Sequence, residues 1–196
     1  MILLLKSIFL GIVIAAPVGP MAILCMNRTL NKGFFSGLAT GFGIASADGI
    51  YACIVGFGLT AISNFLIAHA KIIHVIGGLL LCYIGIKILL SKQTSSNTKS
   101  KSSSDFLSSF FLTLTNPMTV IAFIAVFSGL GIGTTHPDFI RAITIIFGIF
   151  LGSFFWWLTL SMTITIVHHR IESELTKWVN LISGLIILGF GLWMIF

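Results

Sequence analysis

Apolar residues along this chain run on without alternating. Six stretches, roughly 7–26, 36–62, 70–90, 106–131, 140–166 and 176–196, are long enough and apolar enough to span a bilayer. A helix crossing the ~30 Å hydrocarbon core needs about 20 such residues. Transmembrane β-strands would instead show a two-residue alternation. The pattern predicts an all-α membrane protein with six transmembrane helices, short loops and no soluble domain. The first stretch also resembles a secretory leader, with Lys6 ahead of an apolar run and "AAP" at 15–17 as a small-residue cleavage site. Hydrophobicity continues past that point, so the stretch is read as the first span.

The longest polar interruption is "SKQTSSNTKSKSSSD", residues 91–105, which offers nothing apolar to bury. It reads as a flexible Ser/Lys-rich linker. The linker divides residues 1–90 from residues 106–196, three spans from three. The halves share local patterns in the same order: "PMAI" at 20–23 with "PMTV" at 117–120, "FGI" at 42–44 with 147–149, and "GLLLCYIG" at 78–85 with "GLIILGFG" at 184–191. A duplicated unit with an odd number of crossings re-enters from the opposite face. The fold expected is therefore two inverted three-helix repeats. Such repeats place substrate sites near the midplane, on discontinuous helices.

Two discontinuities are written into the spans. In "APVGPM" (16–21) Gly19 precedes Pro20, and in the fourth span Asn116 precedes Pro117. Proline inside a helix removes a hydrogen bond and clashes with the preceding turn. At the first position of a new helix it is well tolerated. Asn is a favoured N-cap and Gly an acceptable one. Helices 1 and 4 are thus expected to break near the midplane and restart, each exposing unpaired N–H groups that attract an anion. Plain kinks, which membrane helices tolerate, are the alternative.

Asp48 lies well inside the second span, where a charge costs ~2.5–3.5 kcal/mol and usually serves function. Gly33, Gly37, Gly41, Ala45 and Gly49 recur every four residues as a stripe suited to close helix packing. At ~100° per residue Asp48 falls about 20° from Gly41, so it should face protein. Its expected role is to take up and release a proton or to meet a cationic group. A protonated, hydrogen-bonded structural Asp is the alternative, and Ser153 holds the equivalent place in the second half. Trp156 and Trp157 sit mid-span, away from the interfacial belt where Trp collects. One of them could line a pocket, or both could simply pack. Tyr51 and Tyr83 bring polar handles into the apolar zone.

Composition narrows the class further. Hydrophobic residues make up 57% of the chain and charged residues 8%, which excludes an ordinary soluble domain. The net charge of +6 is no nucleic-acid signal. Alternate loops place Arg28, Lys32, Lys87, Lys92, Lys99, Lys101, Arg170 and Lys177 on one face, against Lys6, Lys71 and Arg141 on the other. The positive-inside rule makes the first face cytoplasmic and both termini external. Cys25, Cys53 and Cys82 form no C-x-x-C pair and read as packing residues. No His pairs with Cys or a carboxylate at metal-ligand spacing, so neither a metal site nor a cofactor is expected.

"APVGPMAILCMNRTLNKGFFSGLATGFGIASADGIY" (16–51) with "FLTLTNPMTV" (111–120) resembles the LysE/RhtB superfamily of bacterial amino-acid exporters over essentially the whole chain. The resemblance implies a bacterial inner-membrane transporter, driven by protons and dimeric, that expels amino acids or similar small solutes. Pro17, Gly19, Pro20, Asp48, Asn116 and Pro117 match the family's motif positions. Many relatives carry Pro-Gly-Pro, or a polar residue just after the break; here Val18 and Met21 make the lining less polar. The sequence reading is thus a secondary exporter with Pro17, Gly19, Pro20, Tyr51, Asn116, Pro117 and Trp156 at the substrate and Asp48 coupling protons. Export of a divalent metal such as cadmium is the alternative, and a membrane scaffold or enzyme a more distant one. An enzyme would need a nucleophile and base side by side.

Overall fold

The computed structural model describes residues 2–17, 19–57, 68–90, 102–116, 119, 122–123, 139–168 and 173–195. Seven helices have bounds set by the described residues: α1 (Ile2–Ala15), α2 (Pro20–Lys32), α3 (Phe34–Gly56), α4 (Ala70–Leu89), α5 (Ser102–Thr115), α6 (Phe139–His168) and α7 (Ser173–Ile195). No strand occurs among the described residues. Helices α3, α4, α6 and α7 are each long and apolar enough to cross a membrane, and α1 and α2 taken together as one bent span reach the same length and apolarity. Six spans were expected, so the described residues give four, or five with the bent pair. The fourth expected span is described only through α5, Asn116, Thr119, Ala122 and Phe123. Val18, Pro117 and residues 91–101 of the expected linker lie outside the described residues.

The linker's last residues differ from the expectation. Helix α5 begins at Ser102, and Asp105 in its first turn is 1% exposed. Burial of a linker carboxylate is explained by its partners. Lys32 Nζ lies 2.7 Å and Arg28 Nε 3.4 Å from Asp105 Oδ1, and Ser36 Oγ donates to Oδ2 at 2.7 Å. Arg28 also donates to the Asp105 carbonyl (2.8 Å), Ser108 Oγ (2.7 Å) and Thr40 Oγ1 (3.1 Å). This cluster binds the end of α2, the start of α3 and the start of α5 into one junction. Beside it, Asn27 and Asn31 donate to Asn180 Oδ1 at 2.8 and 2.6 Å, tying α2 to α7.

Helix α1 stops at Ala15, Pro17 sits in a bend and Gly19 is extended (φ −126°), so Pro20 can open α2 as its first residue. The two axes turn by 84° across the break. At the far end Gly33 has φ +87° and its N–H reaches the Thr29 carbonyl at 3.0 Å. That left-handed conformation comes cheaply only to glycine. It lets α3 begin one residue later.

Small residues bring the helices together. Helix α4 packs against α7 antiparallel, with Gly78 facing Gly191 and Gly85 facing Gly184. Helix α5 runs along α3 and α1 along α6. Gly43 meets Phe106 and Ser109 on α5, and Gly148 meets Leu4 and Ser7 on α1. The outer face carries exposed Phe9, Ile76, Tyr83, Phe147 and Trp193, the apolar covering that lipid demands. Tyr83 therefore faces outward, away from any internal path.

Two outcomes follow from this packing. A Cβ on Gly191 would lie 2.7–2.8 Å from Cys82 and the Gly78 carbonyl, whereas Gly189 has nothing within 4 Å. Gly191→Ala should cost ~1–3 kcal/mol as overpacking, and Gly189→Ala should leave the Tm in detergent unchanged. Asp105→Asn strands Arg28, which is 7% exposed. Breaking a buried pair costs about 3–5 kcal/mol; the low end applies, because Arg28 keeps its other hydrogen bonds. Burial alone would raise the Asp105 pKa, but hydrogen bonds from Lys32 and Ser36 and the charges of Arg28 and Lys32 bring it below the ordinary value. A depressed carboxylate pKa stabilises above the unfolded value, near 3.9, and that gain disappears as pH falls through the folded value. The Tm gap between wild type and Asp105→Asn should therefore be constant from about pH 8 to 5 and shrink below about pH 4.

Candidate functional site

The facing residues of α3 and α6 give an antiparallel register. Gly37 meets Ser161, Gly41 meets Trp157, and Asp48 meets Ser153. Helix α2 fits into the same ladder. Cys25 Sγ lies 3.6 Å from Ser161 Oγ and 3.6 Å from the Gly37 carbonyl, and Gly37 also meets Thr29. Because α2 is antiparallel to α3 it runs parallel to α6. Cys25 opposite Ser161 therefore puts Met21, in the first turn of α2, opposite Trp157. On the other side of the break α1 lies along α6, with Ile8 and Ile12 at Gly152, the residue before Ser153.

The small-residue stripe explains why a carboxylate survives here. With glycine at 37 and 41, α6 comes close enough to cover Asp48, which is 3% exposed. Ser153 Oγ donates to Asp48 Oδ2 at 2.6 Å. No Lys, Arg or His is paired with Asp48 among the described residues. The group thus faces protein, as its place on the stripe predicts, and it is buried without a countercharge among the described residues.

Three residues beyond Asp48, Tyr51 is also buried, and residues three apart on a helix are neighbours. Its hydroxyl donates to the Leu114 carbonyl at 2.5 Å, and its ring lies 5.6 Å from that of Phe123. Leu114 stands in the last turn of α5, whose terminal carbonyls lack helical partners. Tyr51 therefore fastens α3 to the end of α5. Just past that end Asn116 is buried and non-helical, and its carbonyl accepts from Thr119 N–H at 3.2 Å. The chain does leave its helix at Asn116; Pro117 lies outside the described residues.

Tyr51 thus links the helix of Asp48 to the chain just before Asn116, while Gly19 and Pro20 open α2, whose first turn shares an apolar cluster with Trp157. Pro20 is buried and Gly19 half-buried, while Pro17 is exposed. Trp156 is half-buried, packed against the apolar cluster around α2. The neighbouring Trp157 is the deeper of the two, 3% exposed in the cluster that holds Met21, Ala22 and Cys25. Its Nε1–H has no acceptor among the described residues. Leaving such a buried donor unmatched costs about 1–3 kcal/mol. The sequence does contain the signal that separates these tryptophans. Ser153, Trp157, Ser161 and Thr165 recur every four residues, so Trp157 shares the face of Asp48's partner.

An open apolar groove of roughly 500 Å³ lies elsewhere, between Phe42, Ile50 and Cys53 on α3 and Ile143 and Phe147 on α6. It holds none of the candidate residues. Its polar member, Ser46, bonds its own helix at Phe42, so the groove suits acyl chains.

Comparison with known proteins adds the class. Over 195 residues the chain is 27% identical to a Bacillus subtilis (strain 168) protein named "Putative amino acid efflux protein YcgF", covering 95% of this chain and 92% of that one. No solved structure matches the chain. The family model for the LysE type translocator matches residues 12–196, which takes in the break between α1 and α2, Asp48 and Asn116. Apolar crossing helices, a broken first span and that match agree: the chain belongs to the LysE type translocator family, and is a multi-pass membrane transporter rather than an enzyme.

Proposed function

We propose that this transporter exports an amino acid or a related small metabolite, and that Asp48 couples export to protons. The observation that carries the reading is Asp48 itself, buried in α3 with no cationic partner among the described residues and hydrogen-bonded to Ser153. A buried carboxyl without a countercharge can exchange a proton at little structural cost. The amino-acid part of the reading draws on the Bacillus subtilis relative's name. The solute's carboxylate is held by the half-helix N-termini after Gly19–Pro20 and Asn116–Pro117, with Pro17, Tyr51 and Trp156 around the path.

An inverted-repeat architecture is supported by contacts that come in matched sets. The shift of 105 residues carrying "FGI" from 42 to 147 also carries Asp48 onto Ser153, and these two side chains touch. The shift of 106 carrying 78–85 onto 184–191 turns the Gly78–Gly191 contact into the Gly85–Gly184 contact. Self-complementary contacts of this kind are the mark of a two-fold relation. Placing the basic junction of Arg28 and Lys32 in the cytoplasm puts both termini outside the bacterial inner membrane, and the transporter acts as a homodimer. The divalent-metal alternative finds less support, since no three His, Cys, Asp or Glu side chains gather among the described residues.

The test is uptake into inverted vesicles of a panel of labelled amino acids and cadmium, with and without a pH gradient. An amino acid should accumulate and cadmium should not. Asp48→Asn should lower gradient-driven accumulation at least about tenfold while the protein stays folded in the membrane and still exchanges solute down its own gradient, because the amide cannot take up or release the proton. Full gradient-driven accumulation by that variant would remove Asp48 from the coupling step.

A further inference from the structure

We propose that the indole N–H of Trp157 is a ligand donor, which binds the carboxylate of the exported solute together with the first-turn amides of α2. The proposal rests on the export reading above and adds to it a specificity-determining residue on α6. Two independent features meet at one level of the bundle. The first is the start of α2, a helix of 13 residues whose cap, Gly19, contributes no side-chain hydrogen bond. Its first-turn N–H groups have no acceptor within the helix, and their partial positive charge favours an anion. The second is Trp157 Nε1, a strong donor in a 3% exposed side chain with no acceptor among the described residues.

The register fixes their proximity. Cys25 opposite Ser161 sets Met21 opposite Trp157, and both belong to one apolar cluster with Ala22. Gly41 is what lets the indole sit there, since a Cβ on that residue would strike the Trp157 Cβ. Ser153, one turn back along α6, is engaged with Asp48, so the donor and the proton site are neighbours on a single helix face. An acceptor arriving at this level meets backbone amides from α2 and the indole from α6. The surrounding residues, Met21, Ala22 and Leu24, are apolar and offer no competing hydrogen bond. A compact carboxylate satisfies all of these donors; an ester or amide lacks the charge that the helix end favours.

The test uses proteoliposomes containing the full chain and the amino acid that the wild type exports best. Trp157→Phe keeps a ring and removes the N–H. It should raise KM for that amino acid about tenfold, as expected for loss of a hydrogen bond to a charged group. It should change the response to the methyl ester less than twofold, so that the preference for the free carboxylate collapses. Trp193→Phe on the outer face should alter neither value. A Trp157→Phe protein that folds and keeps the wild-type KM and carboxylate preference overturns the proposal. If that variant does not fold, a chain that keeps Trp156 and Trp157 and carries Trp178→Phe and Trp193→Phe, 15N-labelled at the indoles, decides the matter. The Trp157 indole N–H resonance, identified as the one that Trp156→Phe leaves in place, should move downfield on adding the amino acid and stay fixed with the ester; no movement with either overturns the proposal. Absence of wild-type transport of every amino acid would instead refute the export reading, before Trp157 is reached.

Discussion

Concealing one carboxyl group from lipid is the constraint on which this bundle depends. Asp48 can stay in the middle of α3 only if a neighbouring helix lies against it and supplies a hydrogen bond. Gly37 and Gly41 allow that approach, and Ser153 provides the donor. Larger residues on the stripe would hold α6 away and leave the carboxyl facing hydrocarbon. The same closeness pins Trp157 against α3. A packing device and a chemical device thus share the same glycines, which makes either hard to alter alone.

The break in the first span answers a related problem. Backbone groups at membrane depth need partners inside the protein, and a helix that stops there leaves several without them. At the end of α5 the deficit is partly met by Tyr51, whose hydroxyl takes the Leu114 carbonyl. At the start of α2 the cap is a glycine with no side chain to offer. The two helix ends therefore differ in chemistry: a tyrosine hydroxyl meets a carbonyl at the end of α5, whereas the first-turn amides of α2 receive no side-chain cap.

Much of this was legible in the sequence, and the rest was hidden for identifiable reasons. Continuous apolar runs located α3, α4, α6 and α7 to within a few residues at most ends. The four-residue recurrence of small side chains placed Asp48 inward, and Pro20 with Gly19 marked the restart of α2. Hydropathy failed where polar residues bury one another. It ended the first span near residue 26, yet α2 continues to Lys32 because Asn27, Arg28 and Asn31 find partners in Asn180 and Asp105. It assigned Asp105 to a loose linker for the same reason. Pairing between residues 77 or 153 positions apart leaves no trace in a local window. The choice between Trp156 and Trp157 was recoverable in principle, since only Trp157 is four residues from Ser153.

The single-residue connection at Gly33 has a mechanical consequence. Helices α2 and α3 are joined by one residue, wedged together at Thr29 and Gly37, and cross-braced by Arg28 to Thr40. They form a cross-braced pair that can move as one lever. One arm ends at the uncapped amides and the other carries the carboxyl group. Rocking the lever moves both at once, so, on the export reading proposed above, a motion that opens the start of α2 to one side of the membrane also repositions Asp48 against α6. Solute release and proton exchange would then be two readouts of one rigid displacement, with no separate transmission needed between them.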